Sequence, residues 1–433
     1  MKTLPNNWAH CMLEDFLLIK MGQSPSSDSY NNEGKGIPFY QGCADFGEIY
    51  PITRKWCSNP LKIAKKNDLL LSVRAPVGTM NICIERSCIG RGLSALHGLA
   101  GIETKFIYFL LSEAKETLIK NSTGTTFLAI TSEKLRHISV NLPPLAEQGR
   151  IVAKIEELFA DIDAGVENLK SVKNQIALYR QSVLKSAFDF DASTFSALKN
   201  LIDKVRYGTS KKCSTEENVN SMPVYRIPNI DFKKGVLDKT DLKFASFDDS
   251  EKSSLMLKSG DILIIRSNGS LNLVGRAALV YNTDTNGLYA GYLMRLRIKD
   301  TEKLLPKFLL HFLNSGKARA YIEEKAKSTS GVNNINSEEI SDLQIPVPTL
   351  AEQEKIVAEI ESRFERADAL ETAVDRALND AEKLKQVVLK KAFSGELVPQ
   401  NPDDEPASVL LARIRAERAA EQRANPKKGK QKR

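Results

Sequence analysis

No apolar run in this 433-residue sequence approaches the roughly 20 residues that cross a bilayer. The apolar runs are short pieces such as FLLI at 16–19 and the ILII of DILII at 261–265, so no membrane partner is expected. The amino-terminal MKTLPNNWAHCMLEDF lacks the apolar stretch and small-residue cleavage site of a signal peptide, and a cytoplasmic location is expected. Cysteine is scattered at Cys11, Cys43, Cys57, Cys83, Cys88 and Cys213 with no C-x-x-C pair, and His10, His97, His137 and His311 lie far apart. Neither a disulfide framework nor a metal site is expected. No G-x-x-x-x-G-K-[ST] and no G-x-G-x-x-G is present, which removes the common phosphate-cradling loops. NLPPL at 141–145 is superficially like the Asn/Asp-Pro-Pro-aromatic site of amino-methyltransferases. Leu142 interrupts it, however, and Leu145 stands where an aromatic ring would stack on a base. NPDDEPAS at 401–408 is acidic but has no nearby lysine to complete a nuclease-type site. The expectation is a chain with no catalytic residue and no cofactor of its own. Net positive charge outside the tail is small too. Six of the eight excess charges sit in the last eleven residues, RANPKKGKQKR, leaving two for the rest. Affinity for a polyanion has to come from local patches.

What the chain does have is a repeat. LAEQGRIVAKIEELF at 145–159 returns as LAEQEKIVAEIESRF at 350–364, identical at ten of fifteen positions with an offset of 205. Gln181, Val183, Leu184, Lys185, Ala187 and Phe188 recur at the same offset as Gln386, Val388, Leu389, Lys390, Ala392 and Phe393. Upstream the match loosens but keeps its order. NDLLLSVR (67–74) resembles GDILIIR (260–266), KFIYFLL (105–111) resembles KFLLHFL (307–313), and GQSPS (22–26) sits where YGTSKK (207–212) sits. The order is A–B–A′–B′, with B nearly constant and A diverged.

B has no proline from 151 to 188, and apolar residues recur every seventh position at Ile155, Ile162, Leu169, Ile176 and Val183, with Leu158, Val172 and Tyr179 between them. That is a coiled-coil seam. B′ carries smaller residues at Ala367, Leu370, Val374, Ala377, Ala381, Leu384 and Val388, so the two helices are expected to pack against each other. Thr349 and Glu352 form a T-x-x-E capping box, and Gly395 is a candidate stop. The A segments hold short β-rich runs between Gly, Asn, Asp and Ser turns. B′ begins near the end of B, so the seam can be shared only if the helices run antiparallel. About forty residues at roughly 1.5 Å each make a rod near 60 Å. The expected fold is α+β, with two globular α/β recognition domains separated by a pair of long antiparallel helices in an internal pseudo-two-fold repeat. The expected boundaries are domain 1 at 1–144, first helix 145–190, domain 2 at 191–348 and second helix 349–394. A C-terminal segment at 395–422 packs back toward domain 1, and a basic disordered tail follows at 423–433.

Two diverged heads on a fixed spacer suit a polymer with a repeat length, and duplex DNA repeats every 34–36 Å. Candidate contacts are polar turn residues, because Arg and Gln bond base edges while Lys, Ser and backbone N–H groups hold phosphates. In domain 1 these are Gln23, Ser24, Ser26, Tyr40, Gln41, Arg74 and Arg91. In domain 2 they are Thr209, Ser210, Lys211, Lys212, Tyr225, Arg226, Arg266, Asn268 and Arg276. The alternative is a non-catalytic coiled-coil adaptor with two protein-binding heads.

The two LAEQ…F segments, together with KAFSGELVPQNPDDEPASVLLARIRAERA at 391–419, make the chain similar to the DNA-specificity subunit of a type I restriction-modification system. The likeness covers nearly the whole length. It implies a non-catalytic subunit that reads a bipartite, asymmetric duplex target and carries two methylation subunits and two restriction subunits. S-adenosylmethionine would belong to methylation, and ATP and magnesium to restriction. The repeated entries Leu145, Glu147, Gln148 and Leu350, Glu352, Gln353 are the candidates for meeting a partner, since both copies would face the same one.

Overall fold

The computed structural model describes residues 4–124, 128–190, 194–326 and 331–424. The fold is α+β with an internal repeat, and the chain divides into two compact units, Met1–Asn168 with Ala377–Arg433, and Leu169–Arg376. Most of the expected basic tail, residues 425–433, lies outside the described residues.

The first unit is built on an antiparallel four-stranded sheet in the order Leu17–Met21, Leu93–Gly98, Leu69–Ser72, Met80–Ile82. The second unit repeats it as Arg206–Tyr207, Leu293–Leu296, Ile262–Ile265, Ala277–Leu279. Each unit has a second sheet containing one parallel pair, Ile37–Tyr40 with Ser87–Ile89 in the five-stranded sheet of the first and Ser221–Tyr225 with Leu288–Tyr289 in the three-stranded sheet of the second. The hydrogen bonds equate the repeats residue by residue. Gly22 N bonds Leu93 O as Gly208 N bonds Leu293 O, and Gly90 N bonds Tyr40 O as Ala290 N bonds Tyr225 O. At Gly22 a Cβ would stand 2.1 Å from the Gly90 carbonyl oxygen, and at Gly208 2.2 Å from that of Tyr289. Only glycine lets these backbones approach, which is why GQSPS and YGTSKK align.

The same hydrogen bonds shift the match between NDLLLSVR and GDILIIR. Leu93 pairs Ser72 and Leu293 pairs Ile265, while Ile130 N bonds Val73 O and Ile335 N bonds Arg266 O. Arg266 therefore corresponds to Val73, not to Arg74. The arginines of NDLLLSVR and GDILIIR are one residue out of register.

The long helices span Leu145–Ala187 and Leu350–Phe393. The second is capped as expected, Thr349 N donating to the Glu352 carboxylate (2.9 Å) and Glu352 N to Thr349 Oγ1 (3.4 Å). It ends before Gly395, whose φ of +77° lets Glu396 N reach back to Lys391 O. Within the second unit Arg180 bonds Asp368 (2.5 Å) and Glu371 (3.2 Å), lies over the Phe364 ring, and is followed by Lys173 on Asp375 (2.7 Å). Within the first unit Lys385 bonds Asp163 (2.5 Å) and lies over Phe159. Each residue of the second group is the first group's counterpart at the offset of 205. As one helix number rises the other falls, so the helices run antiparallel in each unit, and the repeat exchanges their roles. Aromatic packing repeats as well: Phe109 meets Phe159 edge-on where His311 meets Phe364.

The seam differs from the expected one on one flank. Ile155, Ile176, Val183, Ala367, Val374 and Val388 are buried. Leu370 and Leu384 are about half exposed, at 49% and 50%, and Tyr179 is exposed too. The intermediate seam positions fall four residues on rather than three, at Phe364, Glu371, Leu378 and Lys385. All four are partly buried, and Glu371 and Lys385 reach partner charges. Leu370→Ser is accordingly expected to change stability by less than ~0.5 kcal/mol, and Val374→Ala to cost about 2 kcal/mol, measured by urea melts followed by circular dichroism.

The C-terminal segment joins the first unit. Ala407, Leu410, Leu411 and Ile414 enter its core, Arg150 pairs with Asp404 (2.5 Å), and Arg418 donates to Glu14 O (2.6 Å) and Leu17 O (3.0 Å).

Candidate nucleic-acid interface

Each unit has a cleft at the same place, where the end of a central sheet strand meets the loop after the parallel pair. In the first unit the cleft has a volume of about 330 Å³ and brings together Gln41, Arg74 and Arg91. Gln41 N donates to Asp45 Oδ2 (2.7 Å), and Arg91 N donates to Ser24 Oγ (3.3 Å), so Ser24 supports the loop rather than lining the cleft. Arg74 and Arg91 are exposed, and neither guanidinium meets a carboxylate among the described residues. Gln23 and Ser26 are exposed but lie outside the cleft lining, Ser26 sharing a hydrogen bond with Ser29.

In the second unit the cleft is about 720 Å³ and gathers Thr209, Ser210, Lys211, Arg226 and Arg266. Three of its cations are already committed. Arg226 bonds the Asp241 carboxylate (2.7 Å) and carbonyl (2.8 Å), and Lys243 reaches the same carboxylate (3.4 Å). Lys211 bonds Glu251 (2.6 Å) and Ser246 O (3.0 Å) and lies over Phe247. Arg266 is held differently, its guanidinium carbon over the Tyr207 ring at 4.5 Å from the centroid and its Nε on Asn334 Oδ1 (3.2 Å).

Several candidates prove to be elsewhere. Tyr40 and Tyr225 are buried, because each closes a parallel strand pair whose inner face is core; the Tyr40 hydroxyl bonds Thr53 (2.9 Å). Neither ring is available to a base. Lys212 lines a neighbouring shallow depression. Asn268 builds a turn by accepting from Ser270 N (2.8 Å). Arg276 bonds Asn272 and lies over Phe232 in a separate cavity beside the first long helix.

The LAEQ residues are structural. Gln148 and Gln353 are buried, each donating to a carbonyl just before its helix, Pro143 O (3.0 Å) and Pro348 O (2.9 Å). Gln353 also bonds Lys303 O and accepts from Leu305 N. Glu147 is buried, accepting from Trp8 Nε1 (3.0 Å) and Gln400 Nε2 (2.7 Å), and burial raises its pKa. Glu352 is exposed and spent on the cap, while Leu145 and Leu350 are half-buried, Leu145 against the first core. Their identity in both copies follows from starting the same helix.

Sequence reading missed Tyr207 and Tyr292. Tyr292 occupies the position of Gly92 and is 64% exposed at the cleft. Aligning GRGLS with AGYLM would have found it. Among the described residues no group of three His, Cys, Asp or Glu could hold a metal ion, and no helix is long and apolar enough to cross a membrane. Burial pushes the Cys11 and Cys88 thiols up to about 12, which suits packing rather than reactivity.

A family model described as the type I restriction modification DNA specificity domain matches residues 5–173 and again 192–379. The EcoKI specificity subunit of Escherichia coli strain K12 is 32% identical over 342 residues, covering 73% of this chain and 72% of that one. The StySPI specificity subunit of Salmonella potsdam is 31% identical over 317 residues, covering 69% and 68%. A solved chain from work on complex assembly and conformational transition of the type I R-M system superposes with a TM-score of 0.70 at 20% identity, covering 92% of this chain and all of that one. That last likeness speaks for the fold. With two domain matches that together span most of its length, the chain is a member of the type I restriction-modification DNA specificity family.

Proposed function

We propose that this chain reads a bipartite, asymmetric duplex target, one half per repeat, and scaffolds two methylation and two restriction subunits in the cytoplasm. It supplies recognition and no catalytic group. S-adenosylmethionine acts in the methylation subunits, and ATP with magnesium in the restriction subunits. The observation that carries this reading is the pair of clefts: same place in the fold, different polar side chains. Gln41 stands where the second unit has Arg226, Arg91 where it has Gly291, and Val73 where it has Arg266. Two such sites suit two unlike half-sites.

The test exchanges residues 1–144 for the corresponding domain of another specificity subunit, in complex with the methylation subunit, and maps methylated adenines. One half of the target should change while the other half stays. Change in both halves, or in neither, contradicts one half-site per repeat. Duplex binding without sequence preference would favour the adaptor reading.

A further inference from the structure

We infer that Arg266 is a specificity-determining residue that reads a guanine in the half-site of the second unit. This rests on the DNA-recognition reading above. Of the cleft's cations, Arg226 and Lys243 share the Asp241 carboxylate and Lys211 is matched to Glu251. Arg266 has no carboxylate partner among the described residues. Its one hydrogen-bond partner there is the neutral amide oxygen of Asn334, on Nε. Both terminal nitrogens are left with N–H groups to offer.

The guanidinium is also held in place. Its central carbon lies over the Tyr207 ring while Nε bonds Asn334 Oδ1, and the Tyr207 hydroxyl in turn accepts from Ser337 N (2.9 Å), so the ring beneath it is anchored as well. A phosphate presents acceptors in many directions and does not require such a mount. A base edge does. The major-groove edge of guanine offers O6 and N7 side by side, which matches the paired N–H groups of a planar fork. Adenine presents a donor at the corresponding place and would face the fork with the wrong sign. The mount belongs to one repeat: the equivalent residue of the first unit, Val73, is buried and apolar. A contact to the shared phosphate backbone would serve both units equally, whereas one that distinguishes half-sites belongs in one of them.

The experiment selects bound duplexes from a random library with the full chain in complex with its methylation subunit, for the unchanged chain, R266K and R266A. The half-site assigned to the second unit by domain exchange should contain a fixed guanine. Both variants should lose preference for it by on the order of 10- to 100-fold, with preferences at other positions kept. R266K keeps the charge but not the planar fork, so its loss of preference reports the geometry of the contact rather than its charge. A second half-site without a fixed guanine overturns the proposal. So does R266K keeping full preference, or uniform weakening at every position. If R266A fails to fold, R266K decides alone. Failure of the unchanged complex to select any sequence would instead remove the DNA-recognition reading itself.

Discussion

His311→Phe is expected to stabilise the second unit by about 2 kcal/mol at pH 5 and about 3 kcal/mol at pH 4, with little change above pH 7. Burial holds the His311 pKa down at about 4 from 6.5, against Glu361, which raises it, and with help from Lys307, which lowers it. The ring packs edge-on against Phe364, and its Nε2 is buried with no protein partner among the described residues. The folded state resists the proton that the unfolded chain accepts. Stability is therefore complete above pH 6.5 and falls as pH drops toward 4. The first repeat supplies the control, since Phe109 occupies the equivalent position and meets Phe159 in the same edge-on way. Both tryptophans, Trp8 and Trp56, lie in the first unit, so their fluorescence follows the other half of the chain. Hydrogen exchange of the Ile262–Ile265 amides reads the second unit directly. Equal pH dependence in H311F and the unchanged chain would show that this ring does not set the acid limit.

Asp261→Ala is expected to cost the second unit about 3 kcal/mol. The carboxylate is buried and holds Arg297 through two bonds of 2.6 Å while accepting from Lys258 N (2.7 Å). Removal strands a largely buried guanidinium and a backbone donor together. The first repeat keeps the design with a weaker partner: Asp68 accepts from Lys65 N (2.8 Å) and meets His97 at 2.9 Å. The His97 side chain is 45% exposed, against 20% for Arg297, so Asp68→Ala should cost less. Protection of the Ile262–Ile265 amides should fall in D261A while tryptophan fluorescence melts hold. A loss under 1 kcal/mol would mean that water reaches Arg297 freely.

Much of this protein is legible in its sequence, for a physical reason in each case. The long helices show because a packed seam needs an apolar residue every seventh position, whatever the surroundings. The glycines of GQSPS and YGTSKK show because a Cβ at either would stand about 2 Å from a backbone carbonyl oxygen. The repeated LAEQ was visible too, yet its meaning was not. Identity in two copies is equally expected of a shared partner and of a shared way to start a helix, and the buried bonds of Gln148 and Gln353 decide for the second. Tyr40 and Tyr225 looked like polar-turn residues, because the parallel pairing that buries them joins segments about fifty residues or more apart.

The sequence alone determined the duplication, the two helices, their opposed directions and the α+β character of the repeated domains, all of which rest on periodicity and chain connectivity. Only the tertiary structure decided which flank of the seam is covered and which arginine is one register step from its apparent twin. It alone decided which cations remain unpaired. Charge neutralisation depends on distance in space, and Asp241, Glu251 and Asp261 find their cations 15, 40 and 36 residues away in the chain. A side chain's freedom to meet DNA is set by neighbours that no local pattern names.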